Sequence, residues 1–298
     1  MTVDSKINTD LSTVYIADRY RSVVVLTGAS TGIGYATARF LAEKDIFVLA
    51  TVRKPVDVEK LRMLGEGVCP VLLDVCFPEQ VTNLAQDVEQ LLIRHNRPLL
   101  DALINNAGIA LGGPLVELDD ETLQRQLEVN VVAPMRMVRA FAKLLGVRKD
   151  ATKGGRIIQV SSISGERAMP FVGPYTASKF ALEGLSDSLR MELLPFGVDV
   201  IIVQPGPINT EIWDKAPTPE ESPFSDGLYD ASLIRFYDWI VNGGRKGLPP
   251  RSIAEVIYKA LSARSPKTRY IKTPGYFSRV LVPKCLPTRT FDRLGSQL

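Results

Sequence analysis

Histidine is almost missing from this chain: one, His95, in 298 residues. A Ser-His-Asp hydrolase would have to use it. Its setting, "LLIRHNRP", suits a helix end, so capping or solvation is preferred over catalysis. Cysteine is scarce too. Cys69, Cys76 and Cys285 form no CxxC pair and have no histidine close by, which argues against a metal site and against a disulfide framework. No apolar run approaches the length of a membrane span. The opening "MTVDSKINTDLSTVYIADRY" is polar and lacks the basic start and apolar stretch of a secretory leader, so a reducing, cytoplasmic setting is expected. Charge of one sign is also lacking. With 36 Lys+Arg against 33 Asp+Glu the net charge is +3, spread without a dense basic block, and no nucleic-acid partner is expected.

What is present is alternation. "SVVVLTG" is a short β-branched run that suits a buried parallel strand. "IGYATARFLAEK" follows with helical spacing, then "DIFVLATV" as strand. The pattern continues through a helix near 56–64, strand "CPVLLDV", a helix near 78–94, strand "LLDALINNAG" and a long helix over about 119–146. Strand "GRIIQVSS", a helix after Tyr175 and strand "VDVIIVQPG" come next. Two helices near 228–242 and 250–264 and a last strand near "TRYIKT" complete about seven strands. This is an α/β chain with a doubly wound parallel sheet in three α/β/α layers. Residues 1–20 read as a poorly structured arm before one domain, 21–298. Its segment about 207–250 would be a helical lid, and "DKAPTPEESPFSDG" within it reads as a mobile loop.

"TGASTGIG", Thr27 to Gly34, lies between the first strand and first helix. Gly28, Gly32 and Gly34 permit a tight turn, a close approach to phosphate and close helix–strand packing. Together with Ser30, Thr31 and Ile33 they would present free N–H groups at a helix N-terminus to an anion. No Lys-Ser/Thr follows, so this is not a P-loop. At the end of the second strand, "LATVRKP" offers Arg53 and Lys54 where an NAD-binding site would place an acid. A 2′-phosphate fits better than a hydroxyl, with Thr31 as a further donor, so NADP(H) is expected over NAD(H). The alternative is that both cations are plain loop charges.

"YTASK", Tyr175 to Lys179, opens a helix whose apolar stripe is Phe180, Leu182, Leu185, Leu189 and Leu193. A tyrosine and lysine four apart could be no more than a surface pair. The wider set of motifs decides otherwise. "TGASTGIG", "LLDV", "NNAG", "LEVNVVAP", "SSISG", "YTASK" and "PGPINT" occur in order over about residues 21–210. The chain thereby resembles the classical short-chain dehydrogenases/reductases, a family of Rossmann-type oxidoreductases.

The resemblance implies that Tyr175 is the general acid/base and Lys179 its partner, lowering the phenol pKa and bonding the nicotinamide ribose. Ser162, thirteen residues before the tyrosine, would hold the substrate oxygen, with Ser161 as the alternative. Asn130 would shape a water chain reaching Lys179, or serve a purely structural hydrogen bond. Asp74 and Val75 would contact adenine. Asn106, Ala107 and Gly108 would line the cofactor ribose, and Pro205, Gly206 and Thr210 the nicotinamide side. The look is closest to the retinol and hydroxysteroid dehydrogenase branch, which implies a bulky apolar alcohol or ketone. A non-catalytic NADP-binding regulator on the same fold is the competing reading. The family usually forms homodimers or homotetramers. The apolar and basic tail "GYFSRVLVPKCLPTRTFDRLGSQL" could touch a membrane, but a helix covering the pocket or a partner is preferred.

Overall fold

The β-branched runs become the strands. Val23, Val24, Val25 and Leu26 in β1 (Ser22–Leu26) are all buried, as is every residue of β2 (Ile46–Val52). With β3 (Val68–Leu72), β4 (Ala102–Asn105), β5 (Arg156–Val160), β6 (Asp199–Pro205) and β7 (Arg269–Lys272) they form a seven-stranded sheet. The order is β3-β2-β1-β4-β5-β6-β7 and every pairing is parallel. The chain reverses direction across the sheet between β1 and β4, so the crevice for a ligand opens at their carboxyl ends. The computed structural model describes residues 10–149, 153–215, 218, 221–224 and 227–296. Six residues of the loop read as mobile, 216, 217, 219, 220, 225 and 226, fall outside them.

Helices cover both faces. α1 (Gly32–Ala42), α2 (Pro55–Arg62) and, later in the chain, α8 (Arg251–Ser262) bury Ala38, Leu41, Val58, Leu61, Ile253 and Ile257 on one side. α3 (Pro78–Arg94), α5 (Ala133–Phe141) and α6 (Gly173–Leu193) bury Val88, Leu91, Met137, Phe141, Leu189 and Leu193 on the other. Proline in the first turn of α2, α3 and α6 sits where its missing N–H costs nothing. α4 (Asp120–Leu127) starts on Asp119, whose carboxylate accepts from Thr122 N at 2.6 Å. α7 (Asp230–Arg245) lies in the expected lid, and α9 (Val282–Cys285) and α10 (Thr288–Gly295) form the tail.

Three expectations need correction. The single helix over 119–146 is irregular and shorter: Glu128–Val132 between α4 and α5 is π-helical, and α5 ends at Phe141. Pro134 is the cause. It has no N–H to give, and its ring crowds the carbonyl four residues back, that of Asn130. The stripe on α6 is narrower than its apolar spacing, because Phe180 is 45% exposed and Leu185 39%. The supposed arm is packed from Asp10 onward, residues 1–9 lying outside the described set. Leu11, Ile16 and Tyr20 are buried in the α3 side of the core. Arg94 donates to Leu11 O at 2.5 Å. His95, at the C-terminal end of α3 as expected, brings Nε2 within 3.3 Å of Val14 O and 3.4 Å of Ile16 N. Ile16→Ala should therefore lower the unfolding free energy by about 2–5 kcal/mol, the range for emptying a core site. Urea denaturation checks this, and a loss under about 0.5 kcal/mol would return the segment to the status of an arm.

Candidate active site

The β1–α1 turn is pressed into its shape by the end of β4. Asn106 Nδ2 donates to Thr27 O and Gly28 O, each at 3.0 Å. Thr27 Oγ1 accepts from Asn106 N and Ala107 N, also at 3.0 Å each. A Cβ on Gly34 would lie 2.1 Å from Gly28 O, so only glycine permits this crossing. Gly28 has φ +69° and would carry its Cβ 2.7 Å from Ala107 Cα. Gly32 (φ +54°) rests against Thr210, whose Cγ2 would be 3.0 Å from an added Cβ. Residues 27–34, 106–107 and 210 thus meet in one crevice. Ser30, Thr31 and Ile33 lie in the same turn, and the Thr31 side chain is not used to cap α1.

At the end of β2, Arg53 and Lys54 are exposed, with no carboxylate beside them on the strand. A third cation joins them, one the sequence reading missed. Lys60 on α2 donates to Ser30 O at 3.1 Å and lies 4.8 Å from the Tyr35 ring centroid. In sequence it is one more surface lysine of a short helix. A tight glycine turn at a helix N-terminus, flanked by three cations, fits an anionic dinucleotide. Asp74 follows β3 and accepts from Cys76 N at 3.0 Å. Val75 beside it is buried, and its carbonyl accepts from Arg136 at 2.8 Å. Pro205 ends β6. Gly206 follows it tightly enough that a Cβ would meet Thr273 Oγ1 at 2.1 Å.

The π-helical turn aims Asn130 inward. Its Oδ1 accepts from Ile109 N at 2.9 Å, and its Nδ2 donates to Ile109 O and Ser178 Oγ, each at 3.0 Å. These bonds use both amide donors and place the side chain against Gly108. Gln126, one turn earlier and equally buried, holds the next residues: its Oε1 accepts from Leu111 N at 2.7 Å. Two polar residues four apart on an otherwise buried helix face were the available signal for Gln126.

The Ser162 side chain acts on the Tyr175 phenol, and its hydroxyl accepts from Ser164 N at 3.1 Å. Lys179 is buried, and its ammonium donates to Val160 O at 2.9 Å, with Nζ 5.7 Å from the Tyr175 ring centroid. The electrostatics differ from the expectation that lysine lowers the phenol pKa. Burial pushes the Tyr175 phenol up, and the Ser162 hydroxyl gives the opposing pull. Burial likewise drives Lys179 down to about 8, with Glu183 opposing it. Ser161, the alternative serine, is buried with its hydroxyl unpaired among the described residues and has no bond to Tyr175. Ahead of α6, Phe171 (φ +60°) accepts from Gly113 N at 2.8 Å and stacks edge-on with Tyr229 and Phe236, at 5.8 and 5.5 Å between centroids. Trp239 extends the group, 6.0 Å from Phe236. No cluster of metal-ligating side chains occurs among the described residues.

Sheet order, glycine turn and the Ser162–Tyr175–Lys179 group define a Rossmann-type nucleotide-binding oxidoreductase. The chain belongs to the short chain dehydrogenase family, whose model matches residues 22–221. It is an oxidoreductase acting on CH–OH groups with NAD(P). It is 32% identical to the NADPH-dependent 3-dehydrocapnine reductase of Ornithobacterium rhinotracheale, over 91% of this chain and 94% of that one. Human 17-beta-hydroxysteroid dehydrogenase type 1 is 34% identical over 86% and 79%. A short chain dehydrogenase from Burkholderia cenocepacia, solved in complex with NADP, superposes with a TM-score of 0.68 at 27% identity, covering 91% and 96%.

The buried lysine leaves a mark on stability. Between about pH 8 and the ordinary value of 10.5 the unfolded chain retains a proton on Lys179 that the folded chain has released. Stability from this group therefore rises with pH across that window. Lys179→Met removes the contribution, so the difference in urea midpoint, wild type minus variant, should grow from pH 8 to 10.5. A difference that stays flat over that range would place the lysine's titration elsewhere.

Proposed function

We propose that this protein is an NADPH-dependent reductase of a ketone, or a dehydrogenase of the matching alcohol, on a bulky apolar molecule. The observation that carries the reading is the aromatic group Phe171, Tyr229, Phe236 and Trp239 at the entrance to α6, where Tyr175 begins the catalytic face. Rings of that size offer apolar contact area to a large substrate and few polar anchors. Relatives named for a hydroxysteroid and a dehydrocapnine agree with a lipophilic substrate. Residues 21–298 would act as one domain, with the segment about 207–250, including α7, closing the substrate side.

The bound dinucleotide supplies or takes the hydride. Arg53 meets its 2′-phosphate with a planar fork, Lys54 and Lys60 add charge, and Thr31 adds a hydroxyl. Gly28, Ser30, Gly32, Ile33 and Gly34 bring backbone N–H groups to the phosphates. Asp74 and Val75 flank the adenine. Asn106, Ala107 and Gly108 follow the ribose, and Pro205, Gly206 and Thr210 the nicotinamide. Ser162 and Tyr175 hold the substrate oxygen between their hydroxyls. Burial keeps the Tyr175 phenol protonated, which suits a group that gives a proton to an oxygen gaining negative charge. Lys179 holds the ribose and steadies the phenolate left behind. Asn130 fixes the loop at Ile109, along which the cofactor would lie.

Phe180 and Leu185 of α6 and Leu123 of α4, two helices that pack together, are exposed, and apolar residues of this kind suit a homodimer or homotetramer. No described helix is long and apolar enough to cross a membrane. The tail is instead tied to the loop after Ser162: Arg167 donates to Pro283 O, its guanidinium lies 4.7 Å from the Phe291 ring centroid, and Lys284 pairs with Glu166.

Oxidation of NADPH by the purified protein with a panel of steroid, retinoid and long-chain ketones tests the reading, and inactivity across the panel with both cofactors would reject it. Tyr175→Phe should bind NADPH as wild type does while turnover falls by about a hundredfold or more. Near-normal turnover would remove Tyr175 from proton transfer. Arg53→Ala should weaken NADPH by about tenfold to a hundredfold, from hydrogen bonds to a charged group of about 1.5–3 kcal/mol, and leave NADH almost unaffected. Equal weakening of both cofactors in a titration would show that Arg53 does not read the phosphate.

A further inference from the structure

α6 carries a third ionisable residue in line with the first two. Glu183 lies four residues after Lys179 and eight after Tyr175, and it is 7% exposed. A buried carboxylate is costly unless paired and hydrogen-bonded. Glu183 is both. Arg269 Nε on β7 donates to its Oε2 at 3.0 Å, and Gln204 Nε2 on β6 donates to its Oε1 at 3.0 Å. It is also confined, since a Cβ on Gly165 would come within 2.9 Å of its Cγ.

The surrounding charges are accounted for. Arg269 also binds Asp187 at 2.7 Å, and Asp187 is bonded by Arg190 as well. Gln204 Nε2 also donates to Glu166 at 2.9 Å, and Glu166 pairs with Lys284 of the tail. On the α4 side Glu128 is taken by Arg136, and the groups nearer α6 there, Asn130 and Ser178, are uncharged. Lys179 faces the Val160 carbonyl from β5 and the Tyr175 ring on its own helix. It has no direct ion pair among the described residues. The remaining anion one turn away along its buried stripe is Glu183.

We propose that Glu183, fixed by Arg269 and Gln204, is a positioning residue that keeps the Lys179 ammonium charged inside the site. Its consequence for cofactor binding rests on the function proposed above, but the electrostatic link itself does not. Arg269 shares the field of Glu183, so the two residues act on Lys179 in opposite directions. Loss of Glu183 removes an attraction and Lys179 gives up its proton more readily. Loss of Arg269 leaves Glu183 less compensated and Lys179 keeps its proton longer.

The test uses the protein without cofactor, labelled with 13C at the lysine ε-carbons, the Lys179 signal being assigned by its absence in Lys179→Met. In Glu183→Gln the Lys179 titration midpoint should move to lower pH. In Glu183→Asp, which keeps the charge, it should return toward wild type. In Arg269→Gln it should move to higher pH. Because a tenfold change in equilibrium corresponds to one pKa unit, a half-unit fall should make the loss of NADPH affinity between about pH 6.5 and 8.5 about threefold larger in Glu183→Gln. An unmoved midpoint in folded Glu183→Gln overturns the proposal, as do shifts of the same sign in Glu183→Gln and Arg269→Gln. Should Glu183→Gln not fold, Arg269→Gln decides alone, and a midpoint that stays or falls rejects the link. Intact titration shifts with no ketone reduction reject the proposed activity and leave this inference standing.

Discussion

One side-chain amide holds two backbone carbonyls, and the site depends on it. Asn106 Nδ2 takes both Thr27 O and Gly28 O, and the Gly34 backbone lies so close above Gly28 that no Cβ fits between them. The turn's carbonyls are thereby satisfied by the side chain that follows β4. The N–H groups at the start of α1 remain turned toward the crevice, which is where an anion gains from them. The same clamp fixes the separation of β1 and β4, the two strands that flank the point where the chain reverses across the sheet. A looser turn would change both the floor of the crevice and the direction of its donors.

α6 faces the opposite problem. It brings an ammonium and a carboxylate into the interior along one stripe, with a half-buried phenol at its head, and buried charges are costly unless paired. None of this favours folding. The neighbouring strands offset it: Val160 O from β5 accepts from Lys179, Gln204 from β6 bonds Glu183, and Arg269 from β7 completes the pairing. Residues of three successive strands are thus committed to one helix. Stability in this half of the molecule comes from Leu189 and Leu193 farther along α6, where the stripe is apolar and buried.

Most of the sheet was legible because its strands are buried on both faces and therefore read as unbroken apolar runs. The glycine turn was legible because chemistry confines such spacing to few uses. What escaped has physical reasons. The segment from Asp10 to Tyr20 places three buried residues at irregular intervals, which no periodicity detects. Phe180 and Leu185 match the helical period but face outward, since periodicity locates a stripe without saying how much of it is covered. Thr27 acts on residues 79 and 80 positions away, and Arg269 reaches Glu183 across 86. Such pairs exist only once the sheet has brought β1 to β4 and β7 to α6. The direction of the Tyr175 shift was missed for a related reason. A lysine four residues along argues for a lowered phenol pKa, but the desolvation that raises it is a property of the assembled layers.

The break between α4 and α5 joins the two halves of the site. A regular helix through Pro134 would set the proline ring against Asn130 O, and the π-helical turn relieves that contact by widening the backbone where Asn130 sits. The relief changes what the side chain can reach. From this turn Asn130 bonds both backbone groups of Ile109 on the loop after β4 and the Ser178 hydroxyl on α6. Ser178 also donates to Tyr175 O at 2.7 Å, one turn back on α6. A single asparagine therefore spans from the loop beside the glycine turn to the helix turn that carries Tyr175. The proline that interrupts the helix is what makes that span possible, so the local departure from regular geometry is part of how the cofactor side and the proton-transfer side are kept in register.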